Sequence, residues 1–292
     1  MLKLDIFDVT ATGASHIKIG KVCQDFALSS GGNDYALAIV CDGHGGDKYF
    51  RSDKGSRIAA TQAKEAIREF MKSRFKKSHG GKLVNTILTN PDAFMHQLTA
   101  NIIFRWREAI AEDFKHEPFT DAEKAILSPN EMAALLKDEE WVSTYGTTLI
   151  AVIRSKEFWF GLHIGDGKCV TVSNANEYVQ PIPWDEKCFL NKTTSLCDEQ
   201  ALTHFRYYFD KVNLPKAIFV ASDGVDDTFG SDEALHRFYK TVLQLFSEKG
   251  MKEGVTELKT YLPQMSEKGS RDDISIAGIL VRKDLHENGT LE

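Results

Sequence analysis

At 292 residues, with 42% hydrophobic and 27% charged residues, the chain can bury a core without disulfides or structural metal and is too apolar to be disordered. A formal net charge of −6 without a dominant basic stretch excludes nucleic acid as the primary partner. Five cysteines with no C-x-x-C spacing exclude a disulfide framework and a zinc knuckle.

The N-terminal residues Leu4-Asp5-Ile6-Phe7-Asp8-Val9 alternate like a strand and contain no signal-peptide apolar stretch. No apolar run approaches the roughly 20 residues that span a bilayer. The expected location is therefore cytoplasmic, with no membrane partner. Ser29-Ser30-Gly31-Gly32-Asn33-Asp34 has turn chemistry, and Tyr35 to Val40 is a near-continuous apolar strand.

From Ser52 to about Lys77 the spacing turns helical, with Ile58, Ala59, Ala63, Ala66, Ile67, Phe70 and Met71 on one face. Arg74, Lys76 and Lys77 read as its solvated end. A second helix is expected from about Pro91 to Lys115, where Phe94, Leu98, Ile102, Trp106 and Ile110 repeat every fourth residue. Residues 119–141 read as an additional helical insert.

Strands resume at Thr147–Ile153, Phe158–Leu162 and Cys169–Val172. Residues 174–213, with Pro181, Pro183 and Trp184, read as an irregular, flap-like segment. Two apolar strands, Ala217–Ala221 and Ile274–Val281, enclose helices at about 232–247 and 252–262. Strands outside and helix pairs between indicate an α+β fold, one domain over 1–292, with packed sheets covered by helices.

Aspartates gather at the ends of these strands. Asp42 follows Ile39-Val40-Cys41, Asp166 follows Leu162–Gly165, and Asp223 follows Phe219–Ser222. Asp272 and Asp273 open the last strand, and Asp25 is expected in the first hairpin. Taken singly, such an aspartate is a turn former. Together, without histidine-rich spacing, they form an all-oxygen donor set suited to Mg²⁺, Mn²⁺ or Ca²⁺ rather than Zn²⁺. In Asp42-Gly43-His44-Gly45-Gly46, Gly43 lets the backbone approach a metal, so its carbonyl is a candidate ligand. His44 is a candidate proton donor to a leaving group.

Five segments in this order resemble the motifs of the metal-dependent, type-2C serine/threonine protein phosphatases: Cys23-Gln24-Asp25, Asp42–Gly46, Tyr145-Gly146-Thr147-Thr148, Gly165-Asp166-Gly167, and Ala221-Ser222-Asp223-Gly224 followed by Ser270–Ile274. The stretch from Gly13 to Asp25 is most similar to a bacterial branch. The resemblance implies a central β-sandwich of two mainly antiparallel sheets flanked by helix pairs. It further implies two Mn²⁺ or Mg²⁺ ions, with a weaker third. Asp42 would bridge two of them, helped by the Gly43 carbonyl. Asp223 and Asp272 would complete the first site, Asp25 would support the second, and Asp166 the third.

The implied chemistry is in-line hydroxide attack on a phosphate ester with His44 as general acid. The implied partner is a phosphorylated protein, the product of a serine/threonine kinase, with the enzyme a monomer. No covalent phosphoenzyme is needed, so Cys23 and Cys41 read as small buried hydrophobes.

Relatives of this type carry an arginine before the first acidic motif. Here no arginine lies between Met1 and Cys41, which leaves Lys18, Lys21 and His16 as candidates to grip phosphate. Gln24 replaces a glutamate and Asp273 an asparagine. Two other readings stay open: a type-2C-like pseudophosphatase that only binds, and a two-metal hydrolase of small phosphate esters.

Overall fold

The computed structural model of the chain describes residues 3–32, 34–75, 87, 89–137, 140–189 and 192–282. β1 (Lys3–Ala11) leads into a short helix, α1 (Ala14–Ile19), and then into the hairpin of β2 (Phe26–Gly31) and β3 (Tyr35–Cys41). Next come two long helices, α2 (Ser52–Phe75) and α3 (Pro91–His116), then the short α4 (Asp121–Lys124) and α5 (Pro129–Leu135). β4 (Leu149–Ser155), β5 (Trp159–Ile164), β6 (Lys168–Val172) and β7 (Tyr178–Val179) follow. α6 (Ala201–His204), β8 (Arg206–Asp210), β9 (Ala217–Ala221), α7 (Asp223–Asp226), α8 (Asp232–Lys268) and β10 (Ile274–Arg282) complete the described chain.

The strands form two five-stranded sheets, β1-β10-β9-β6-β7 and β2-β3-β4-β5-β8. Every paired strand among the described residues is antiparallel. Strand alternation sorts the side chains into layers. Ala36, Ala38, Val40, Ile150, Val152, Ile218, Val220 and Ile279 fill the space between the sheets. Leu37, Ile39, Ala151 and Ile153 point the other way, onto Ala59, Ala63, Ile67, Leu98, Ile102 and Trp106 of α2 and α3. Phe7, Val9, Phe219 and Ile276 meet Leu235, Tyr239, Phe246, Leu258 and Leu262 of α8. The result is a helix–sheet–sheet–helix sandwich. Among the described residues no helix is long and apolar enough to cross a membrane.

Several expected elements change. Lys18 and Lys21 flank the end of a helix rather than sitting on a hairpin. α1 starts where the Ser15 amide donates to the Arg271 carbonyl (3.0 Å) and stops at Gly20, whose φ of 71° is left-handed. Asp25 precedes the β2–β3 hairpin instead of lying within it. Ser29, Ser30 and Gly31 belong to β2, because the Ser29 amide is held by Asp8 at 2.9 Å. The segment 174–213 contains β7, α6 and β8, so it is less irregular than its prolines suggest. The two helices expected at about 232–247 and 252–262 are the two arms of α8, separated at the non-helical Gly250 (φ 76°); only the end changes, because the second arm continues past Pro263 to Lys268. Lys76, Lys77 and the Ser78–Gly81 break lie outside the described residues, as does the reading of Arg74, Lys76 and Lys77 as a solvated end.

In the insert, capping boxes start both α4 (Thr120 with Glu123) and α5 (Ser128 with Glu131). Phe119, Met132 and Leu135 form a small core there with Phe50 and Trp141. Arg51, 3% exposed, ties the insert to the body. Its guanidinium donates to Glu123 (2.6 and 2.9 Å), to the Glu117 carbonyl (2.7 Å) and to the Tyr145 hydroxyl (2.7 Å).

Candidate metal centre

The strand-end aspartates meet at one end of the sandwich. Asp42 leaves β3 with its amide donating to the Thr148 hydroxyl (3.0 Å). Its carbonyl accepts from the Thr148 amide (2.8 Å) and the Thr147 hydroxyl (2.9 Å). The Tyr145–Thr148 motif is therefore a backbone staple for the Asp42–Gly46 loop. The staple continues at His44, whose amide donates to the Gly146 carbonyl (3.1 Å). A Cβ at Gly43 would sit 2.5 Å from the Gln24 carbonyl oxygen and 2.8 Å from that of Ser52, so only glycine fits this close approach.

Asp223 opens α7 directly after β9, and Gly224 packs so closely on the Asp273 carbonyl that an added Cβ would lie 2.0 Å from its oxygen. Asp166 sits in the β5–β6 turn after Gly165, whose φ of 115° excludes other residues, and burial pushes its carboxyl up, with Thr193 opposing. Asp272 precedes β10 and is exposed, its Oδ1 accepting from the Asp273 amide (2.8 Å).

Electrostatics link all five. Burial, then the charge of Asp273, pushes Asp25 well above the usual carboxylate range, with the Ser222 hydrogen bond opposing. Burial, then Asp223 and Asp25, does the same to Asp42. Burial raises Asp223 to about 7, with Asp166 and Asp272 adding to the shift. Asp42 and Asp223 face each other closely, and the Asp223 carboxylate disfavours ionisation of Asp42.

Among the described residues no three of these groups close into a ready-made ligand shell. The donor set nonetheless fits a divalent cation. It is all oxygen, and the Asp25 Oδ2 is buried with no partner among the described residues.

A pH dependence follows for the metal-free protein. A carboxyl raised from near 4 to about 7 binds more protons folded than unfolded, so its contribution to stability falls as pH rises through that window. At pH 8 in chelator, Asp223→Asn should exceed the wild type in stability by about 1–3 kcal/mol. At pH 4 the two should converge. Urea unfolding at both pH values measures this, and an equal difference at both would contradict the charge account.

His44 stands on this floor with its ring edge-on to Tyr49, centroids 4.8 Å apart. Its carbonyl accepts from Gln24 Nε2 (2.8 Å) and the Ser52 hydroxyl (2.9 Å). Gln24 is thus a buried strut of the His44 loop. Burial lowers His44 to about 4, with Asp198 opposing and Lys48 reinforcing.

The three phosphate-grip candidates separate. Lys21 reaches the loop, donating from Nζ to the Gly45 carbonyl (2.8 Å), and faces Asp273, Asp272 and Asp47. Lys18 is exposed on the last turn of α1. His16 is turned inward, its Nδ1 3.0 Å from Asp273 Oδ2.

Sequence reasoning understated Asp273. It is 3% exposed and accepts from the Gly13 and Gln24 amides at 2.6 Å each, tying the N-terminal segment to β10. Reasoning from sequence also missed Asp226 and Asp227, whose charges reach Asp223 from α7. Their offsets of three and four from Asp223 were the available signal. All five cysteines are free thiols, and burial pushes Cys23 and Cys41 up.

The sequence profile described as Protein phosphatase 2C matches residues 12–262. No curated protein matches the sequence. Among solved structures, the chain is similar to the catalytic domain of the serine/threonine protein phosphatase PstP in complex with two manganese ions (17% identity, TM-score 0.52), covering 97% of this chain and 100% of that one. It is also similar to the serine/threonine phosphatase Stp1 from Staphylococcus aureus (16% identity, TM-score 0.56), with 97% and 96% covered. RsbX in complex with magnesium aligns at 10% identity and TM-score 0.51, with 97% and 100% covered. At these identities the likeness is one of fold.

Proposed function

The chain belongs to the protein phosphatase 2C family, and from that membership and the carboxylate cluster we propose that it hydrolyses phosphoserine and phosphothreonine esters in proteins with the help of divalent cations. The observation that carries the reading is the convergence of Asp25, Asp42, Asp166, Asp223 and Asp272 at one end of the sandwich, beside His44.

In this reading Asp42, the Gly43 carbonyl, Asp223 and Asp272 hold one Mn²⁺ or Mg²⁺ ion, Asp42 and Asp25 a second, and Asp166 a weaker third. Bound there, the cations activate water for in-line attack and neutralise charge on the phosphoryl oxygens. His44 is placed to hand a proton to the departing serine or threonine oxygen. The Tyr145–Thr148 staple keeps His44 and Asp42 at fixed separation, so little reorganisation remains for the reaction.

Lys21 takes the part of the missing arginine. Its ammonium lies beside the Gly45 carbonyl, on the loop that carries Asp42 and His44. As a point charge it binds ground and transition states alike. Lys21→Ala should raise KM for a phosphopeptide roughly fivefold and barely change kcat, with the difference shrinking in added salt. Lys18→Ala should leave both constants unchanged. A KM effect from Lys18→Ala and none from Lys21→Ala would reverse the assignment.

The substrate is a phosphorylated protein, the protein acts as a monomer, and residues 119–141, an insert, and 174–213, which supply β7 and β8, belong to one domain. Phosphate release from a phosphothreonine peptide, with and without Mn²⁺, tests the function. Release should depend on added Mn²⁺ and stop with EDTA. Full turnover in excess EDTA, or none with Mn²⁺, would overturn it.

A further inference from the structure

A cavity of about 450 Å³ lies beyond the Gly165-Asp166-Gly167 turn, where β6 and β7 of one sheet face β5 and β8 of the other. His163, on β5, lines it. This side chain is 3% exposed, and its Nε2 has no hydrogen-bond partner among the described residues. Arg206 lies directly opposite His163 in the β5–β8 register. It donates to the Pro183 (2.9 Å) and Gly165 carbonyls, while its Nε, 3.7 Å from Asp185 Oδ2, makes no hydrogen bond among the described residues.

Lys168 closes the third side. Its Nζ is 3.8 Å from Asp226 Oδ2 and 4.5 Å above the Trp184 ring. His236 of α8 adds a ring stacked on Tyr178 (5.6 Å), with its Nε2 also unpartnered among the described residues.

The neighbouring acids do not use up these donors. Asp185 accepts from the Thr194 hydroxyl (2.9 Å) and the Lys187 amide (3.1 Å). Asp232 accepts from Gln180 (3.0 Å). Asp226 stands 3.8 Å from Lys168 Nζ, beyond hydrogen-bond distance, and burial pushes its carboxyl up to about 8. Burial, with Arg206 and Lys168 adding, holds His163 in its neutral form. An unpaired buried imidazole nitrogen costs on the order of 1–3 kcal/mol, and interiors seldom leave one.

We propose that this cavity binds a phosphomonoester group carried on an apolar or aromatic body, at a site separate from the carboxylate cluster. Donors arrive from β5, β6, β8 and α8, and a tetrahedral oxyanion presents oxygens in as many directions. A planar carboxylate would leave some of them unmet. The volume exceeds what one oxyanion fills, and Ile182, Pro183, Tyr178 and Trp184 give the remainder an apolar wall. The group comes from a second phosphorylated side chain on the substrate or from a free small phosphoester.

The test uses the full chain in EDTA, so that no cation can bind phosphate at the carboxylates and the outcome does not depend on the phosphatase reading. Calorimetry with phenylphosphonate, which cannot be hydrolysed, should show saturable binding. Trp184 fluorescence should change on binding, and Trp184→Phe should lose that signal. Lys168→Gln should weaken binding about tenfold, and His236→Gln should weaken it too, each with an unchanged melting temperature. A doubly phosphorylated peptide that binds tighter than its singly phosphorylated form identifies a peptide source. Equal peptide affinities with tighter phenylphosphonate binding identify a small phosphoester. No binding in EDTA, or binding unaffected by Lys168→Gln and His236→Gln, overturns the proposal. So does binding that needs Mn²⁺ and is lost in Asp42→Ala.

Discussion

Asp42→Ala and Asp223→Ala are each expected to abolish turnover of a phosphothreonine peptide while leaving the sandwich folded. Asp42 sits at the meeting point of the cluster, within the field of Asp223, Asp25 and Asp166. Removing either carboxylate deletes an oxygen donor from the centre of the proposed ligand set. Losing cation-based charge stabilisation is worth several kcal/mol, a rate loss of roughly 10³-fold or more. Affinity for Mn²⁺ should fall in parallel, whereas melting of the metal-free variants should match or exceed that of the wild type, because one buried like-charge contact is gone. Calorimetric Mn²⁺ titration beside phosphate release distinguishes this from misfolding. Wild-type stoichiometry and affinity in both variants would refute the ligand assignment.

His44→Ala should slow the phosphothreonine peptide by about 10²- to 10⁴-fold, the range of general acid catalysis. The same variant should cost p-nitrophenyl phosphate far less, because its leaving group departs without a proton. His44 is anchored through its own backbone, amide to Gly146 and carbonyl to Gln24 and Ser52. Alanine therefore removes the ring without moving the loop. In the unliganded protein burial keeps the ring neutral, so its proton arrives with the phosphoryl dianion, whose charge opposes that burial. Equal losses on both substrates would mean that His44 positions rather than protonates.

Asp42, Asp166 and Asp223 were legible because each follows an apolar strand, Asp272 because it precedes one, and strand ends in a sandwich share an edge. Asp42, Asp166 and Asp223 all stand where that logic puts them. β8 escaped because Arg206-Tyr207-Tyr208-Phe209-Asp210 is aromatic on both faces. Tyr207 and Phe209 pack toward the helices and Tyr208 toward the inter-sheet core, so no alternation shows. The pairing of His163 with Arg206 was unreadable for the same reason, since it depends on a register with a strand 40 residues away. The inward turn of His16 needed knowledge of Asp273, about 260 residues downstream.

The pairing of β1 with β10 also bears on how the protein is made. Lys3 to Ala11 pair in a ladder with Ile274 to Arg282, and Gly13 and Gln24 hang from Asp273. During synthesis the first strand waits until β10 has left the ribosome. Contacts of such sequence separation close late in folding. Asp25 and Asp272 therefore come together only at the final step, and a nascent or prematurely terminated chain carries the parts of the centre without the centre itself.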